Sequence, residues 1–187
     1  MKKATSKSNV FRNPNYLLLF LGALVSNLGS SFYNFAVSFY ILKITQDNAF
    51  IQGCYLAVSG IAFVAAGFFG GVIADRWNKV RIIYGTDYIR GAMILIGALL
   101  LYLFRHDVTA QLIILFIIAV LFNVFAAIFS PASTAIIQTI IDEDKFQQAS
   151  SYLSSMNNML TIIGTVLGAL FYSILPISWL FVMVGVL

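Results

Sequence analysis

Long apolar runs broken by short knots of charge leave this chain very few ways to fold. No formal charge lies between Asp47 and Asp75; Arg76, Lys79 and Arg81 then follow closely, and the next charge is Asp87. A helix rises about 1.5 Å per residue, so roughly 20 apolar residues cross the hydrocarbon core of a bilayer. The runs 16–42, 50–74, 82–104 and 109–130 each reach that length, and the fourth is expected to continue beyond the core to about 141. A fifth run, 146–174, follows the break Asp142-Glu143-Asp144-Lys145 and stops before Pro176, which has no N–H to extend a helical ladder. A sixth covers only 178–187. At about 1.5 Å per residue it would cross roughly half of the core. The expected fold class is an all-α membrane protein with an incomplete sixth helix. Residues 1–15 form a polar, basic tail and 16–187 the transmembrane domain, read as part of a longer protein or as a truncated product.

Composition agrees with lipid as the solvent. The 187 residues are 60% hydrophobic and 10% charged, with a mean hydropathy of +0.92. Soluble domains carry about 25% charged residues, and a chain this apolar would expose large patches in water. The net charge of +4 does not point to nucleic acid, because the cations sit in short segments between apolar runs. Their distribution orients the chain. Lys2, Lys3, Lys7, Arg12, Arg76, Lys79, Arg81 and Lys145 fall on one side, and only Lys43 and Arg105 on the other. Basic loops stay in the cytoplasm, so the expectation is a multi-pass plasma-membrane protein with its N-terminus inside. Cys54 is the single cysteine, which excludes an intrachain disulfide.

The knot of charge carries a signature. Gly71-x-x-Ala74-Asp75-Arg76-x-x-Lys79-x-Arg81, placed between the second and third runs, resembles the loop motif of the major facilitator superfamily. Asn78 stands where that family has a second glycine, and asparagine tolerates the left-handed conformation such a turn would need. The resemblance extends along the chain through Phe129-Ser130-Pro131-Ala132, Glu143-Asp144 and 149–156, and there it is similar to the drug-efflux branch that includes macrolide exporters. It implies the six-helix N-terminal half of a twelve-helix, 3+3-repeat fold, with the C-terminal six-helix half as the missing partner. Alternating access, a central cavity for a small-molecule substrate and a proton gradient as energy source are implied with it. In the fifth run Gly164-Thr165-Val166-Leu167-Gly168-Ala169 departs from the Gly-Pro and Gly-Gly pattern of the family's antiporters. No inverted repeat is visible in the sequence.

Individual residues carry competing readings. Gly71, Asp75, Arg76, Lys79 and Arg81 serve membrane topology alone or, as the resemblance implies, also a gate. Asp75 ends a helix, where the dipole disfavours a carboxylate, and it would be better placed against a cation elsewhere. Asp87 and Arg90 are three apart, hence neighbours on one helical face, roughly 8 and 12 Å inside the boundary. They form either a structural pair or a proton-handling one. Asn27, Ser31, Asn34 and Ser38 recur on one face of the first helix and are read as cavity lining, with Asn123 as a fourth-helix counterpart; the competing reading is interhelical hydrogen bonding. Ser150, Ser154, Asn157 or Asn158 and Thr161 form a small and polar stripe with Gly164 and Gly168. Gly164-x-x-x-Gly168 and Gly67-x-x-x-Gly71 are expected to allow close helix packing. His106 is read as a solvated loop residue. The sequence holds no metal-ligand cluster, catalytic triad or phosphate loop, so neither an enzyme nor an ATP-driven pump is expected, and no cofactor. The leading expectation is a proton-coupled antiporter for multidrug efflux, with nutrient uptake or a non-transporting half-length protein as alternatives.

Overall fold

Asparagine and aspartate set where the first four helices begin. The computed structural model describes residues 10–186, without the side chains of Ala74 and Asp75. A 3-10 turn at Val10–Arg12 precedes α1 (Pro14–Ile44), α2 (Ala49–Arg76), α3 (Lys79–Leu103), α4 (Val108–Ile140), α5 (Glu143–Ile174) and α6 (Ile177–Val186). The Asn13 side chain accepts from the amides of Asn15 and Tyr16, Asn48 from Phe50 and Ile51, Asn78 from Val80 and Arg81, and Asp107 from Thr109 and Ala110. Each cap satisfies amides that have no partner in the first turn. This corrects the expectation for Asn78. Its φ is −65° and its ψ 113°, so it is an extended helix cap and not a left-handed glycine substitute. Among the described residues, the left-handed ones other than glycine are Gln46 and Asp47, in the turn from α1 to α2.

Five of the helices, α1 to α5, are long and apolar enough to cross a membrane, while α6 has ten residues. The principal packing partners are α2 with α4, α1 with α5, α3 with α4, α3 with α6 and α1 with α6. Exchanging α1 with α4, α2 with α5 and α3 with α6 maps this pattern onto itself, and the lesser contacts α1–α2, α4–α5, α2–α3 and α5–α6 obey the same rule. The bundle is thus two three-helix units of opposite topology, as internal repeats in transporters are. At its centre α1 meets α4 through Tyr33 stacked on Phe122, ring centroids 4.5 Å apart.

Glycines decide how closely the outer helices approach, though not the ones expected on α2. A Cβ on Gly164 would lie 2.5 Å from Cβ of Ser31, and one on Gly168 2.7 Å from the Phe35 ring, so α1 and α5 touch along that seam. Nothing lies within 4 Å of a Cβ on Gly67 or Gly71. The close contact on α2 is Gly70, whose Cβ would sit 2.5 Å from the Ala127 carbonyl oxygen. Pro131 lies inside α4 and cannot donate to that carbonyl four residues back; Gly70 fills the space over it.

The expected tail 1–15 falls partly outside the described residues, and its described end is packed. Val10 is buried, Asn13 Nδ2 donates to the Ile140 carbonyl at 2.9 Å, and Tyr16 Oη donates to the Ala149 carbonyl at 2.9 Å. Phe11, Tyr16 and Phe20 form an aromatic cluster there. The start of α1 is bolted to the α4–α5 corner.

Candidate functional site

The charged groups farthest from any helix end meet between α1, α3 and α4. Arg90 Nη1 lies 3.6 Å from Asp87 Oδ1, as their three-residue spacing on one face allows. Ser26 Oγ donates to the same Asp87 oxygen at 3.0 Å, and Arg90 Nη2 donates to Ser30 Oγ. The guanidinium lies over the Phe122 ring, 4.1 Å from its centroid, and 6.0 Å from that of Phe129. A cation over an aromatic face is attracted by the ring quadrupole, most strongly where water is absent. Arg90 Nε is buried with no hydrogen-bond partner. The two partners differ in access: the Asp87 side chain is 35% exposed and that of Arg90 8%. Asp87 opens into a groove of about 510 Å³ between α1, α3 and α6, which Tyr84, Tyr88, Val184 and Gly185 also line. The backbones of α1 and α3 do not approach closely, so these side chains bridge a gap that helix packing leaves.

The sequence singled out Asp87 and Arg90 but missed Ser26, Ser30, Phe122 and Phe129. A signal existed: Ser26, Ser30 and Tyr33 recur at helical spacing, one position out of phase with the stripe Asn27, Ser31, Asn34, Ser38. That expected stripe divides. Asn27 donates to the Ala23 carbonyl of its own helix, Ser31 lies in the α1–α5 seam, and Ser38 accepts from Gln52 Nε2 at 2.7 Å. Asn34 is exposed. Asn123 is half-buried and donates to the Ala119 carbonyl.

The fifth-helix stripe divides as well. Gly164 and Gly168 face α1, whereas Ser151, Ser154, Asn158, Thr161 and Thr165 are exposed along one line of α5. On α4, Ser130, Thr134 and Gln138 form a second exposed polar line. A different face of α4 exposes Ile113, Ile117 and Leu121, and α3 exposes Ile89, Ile96, Leu99 and Leu103. Exposed polar residues thus gather on one line of α5 and on α4 from Ser130 onward. The exposed part of α4 from Ile113 to Leu121 is apolar, and α5 also exposes Ile162, Val166 and Leu170 beside its polar line. Around Gly71, Arg76 and Arg81 are exposed, Lys79 is half-buried, and among the described residues none of the three cations makes an ion pair. Asp75 lies on α2, and its side chain is outside the described residues. His106 is exposed in the α3–α4 turn.

Six helices in two inverted threes, with an acidic-basic turn between α2 and α3, meet a sequence match of the same extent: the sequence model of the Major Facilitator Superfamily matches residues 19–187. The chain belongs to that superfamily. An uncharacterised MFS-type transporter of Bacillus subtilis, YkuC, is 24% identical over 174 residues, covering 91% of this chain and 38% of YkuC. A second, YfmI, is 28% identical over 160 residues, 86% of this chain and 39% of YfmI. Macrolide efflux protein A of Streptococcus pyogenes is 24% identical over 162 residues, 85% of this chain and 38% of that protein. The chain thus spans less than half the length of each of these relatives. No solved structure matches it significantly.

Proposed function

We propose that this chain belongs to a proton-coupled exporter of lipophilic small molecules that works by alternating access between two six-helix halves. The observation that carries the reading is Asp87. Among the described residues it is the one carboxylate away from a helix end, it faces a groove, and its counter-charge is buried beneath it. Ionisable groups at membrane depth mark ion or substrate paths by default. In this reading Asp87 takes up and releases the coupling proton, while Arg90, fixed by Ser30 and Phe122, holds the cation in place. The exposed polar lines of α4 and α5, with Asn34, line the substrate cavity. Gly71, Asp75, Arg76, Lys79 and Arg81 form the gate toward the other half, on the cytoplasmic side of the plasma membrane. Export of lipophilic compounds is supported by the similarity to macrolide efflux protein A.

The test is accumulation of a lipophilic dye and a labelled macrolide in cells lacking their own efflux pumps and expressing the full-length gene. Expression lowers accumulation, a protonophore restores it, and Asp87→Asn abolishes the difference. Unchanged accumulation removes the export reading. The departure from the antiporter pattern at Gly164–Ala169 favours nutrient uptake as the second reading, and protonophore-sensitive uptake would establish it instead.

A further inference from the structure

A second groove, of about 550 Å³, lies at the basic end of the bundle, where the end of α2 and the start of α3 meet α4. Its mouth holds Trp77 and Arg81, and its floor Gly85, Ile89, Phe125 and Ile128. The exposed lines of the neighbouring helices say which way it opens. Ile113, Ile117 and Leu121 on α4 lead at four-residue steps to Phe125, and Leu103, Leu99 and Ile96 on α3 lead to Ile89. These lines are wholly apolar. The polar line of α4, Ser130 to Thr134, is displaced from Ile128 by two residues, about 200° around the helix. The groove therefore opens to lipid.

Its mouth is cationic. Arg76, Lys79 and Arg81 cluster in the turn against Asp75 as the one acid, and among the described residues no carboxylate pairs with them. Trp77, 69% exposed, presents an apolar ring and a single N–H donor, which suits the headgroup level of a bilayer. Below it nothing lies within 4 Å of where a Cβ on Gly85 would be, so the missing side chain leaves an apolar slot between α3 and α4. An apolar slot under cations that no carboxylate pairs with among the described residues fits one kind of molecule. We propose that it binds an anionic glycerophospholipid, its phosphodiester on Arg81 beside Trp77 and an acyl chain in the slot over Gly85 and Phe125. The proposal does not depend on the transport reading. It places a lipid-responsive contact beside the α2–α3 turn.

Trp77 and Trp179 are the two tryptophans, and Trp179 lies at the start of α6, far along the bundle from the α2–α3 turn. With Trp179→Phe, the chain in phosphatidylcholine vesicles is titrated with phosphatidylglycerol or phosphatidylcholine carrying brominated acyl chains, and Trp77 fluorescence is followed. Quenching by the brominated phosphatidylglycerol should show an apparent association constant about fivefold higher per engaged cation. Arg81→Gln should lower that preference about fivefold, and Gly85→Leu, which fills the slot and keeps every charge, should abolish it at unchanged helical content. Equal quenching by the two lipids overturns the site. A preference that survives Gly85→Leu, or that Trp179 shows equally in a Trp77→Phe chain, reduces it to general surface attraction and overturns it too. Relief of quenching by soluble glycerol phosphate would make the mouth a free-anion site and refute the lipid assignment.

Discussion

Arg90 is held by four unlike neighbours: a carboxylate, a hydroxyl and two aromatic rings. Removing one partner of a buried ion pair costs about 3–5 kcal/mol, because the other charge is left without compensation. Arg90→Ala is therefore expected to lower the melting temperature of the purified protein sharply. Arg90→Lys keeps the charge but loses the planar stack on Phe122, and should fall between Ala and wild type. Asp87→Asn leaves the buried Arg90 cation without its carboxylate and should lower the melt too, though less than Arg90→Ala, since the cation keeps its rings and Ser30. Transport should nevertheless be lost. Equal destabilisation by both substitutions would make the pair purely structural. At the start of α1, Tyr16→Phe removes the buried bond to the Ala149 carbonyl and should cost about 1 kcal/mol, read in the same melt.

At the scale of elements, the glycines of α2 show how little spacing alone decides. Gly67-x-x-x-Gly71 has the form of a packing motif, yet the contact belongs to Gly70, over the carbonyl that Pro131 leaves without a donor. Gly70→Val should separate α2 from α4 and lower the yield of folded protein, while Gly67→Ala, with open space around it, should melt as wild type does. Within α5 the seam and the polar line are distinct faces. Gly164→Val is expected to push against Ser31 and separate α1 from α5, while Asn158→Ala, on the exposed line, should leave the melt unchanged.

For the whole molecule, the gathering of exposed polar residues on lines of α4 and α5 predicts solvent access. In a Cys54→Ser chain in lipid vesicles, single cysteines at Asn158, Thr161 or Thr134 should react with a membrane-impermeant maleimide, and cysteines at Leu99 or Ile117 should not. Uniform protection would mean that the polar lines are sealed against a partner. Uniform reactivity would refute the lipid face. The pairing of the two three-helix units belongs to this scale as well: residues of α1 and α4 share no legible sequence pattern, yet their helices occupy equivalent places in the contact pattern.

The sequence by itself determined that the chain crosses a membrane through long apolar helices, because hydrocarbon leaves backbone groups no other partner. It also placed the charged turns, since charge must reach water, whereas the capping role of Asn78 emerged only from the structure. The i, i+3 closeness of Asp87 and Arg90 was legible for the same reason: it is local geometry. Only the tertiary structure decided that Ser26, Ser30 and Phe122 surround that pair, that Ser31 is seam and Asn34 surface, and that Gly70 and not Gly67 carries the α2–α4 contact. Those outcomes depend on the rotation of each helix about its axis. In a membrane that rotation is set by side-chain packing against neighbours distant in sequence, and helices that are apolar on most faces carry no strong pattern that fixes it.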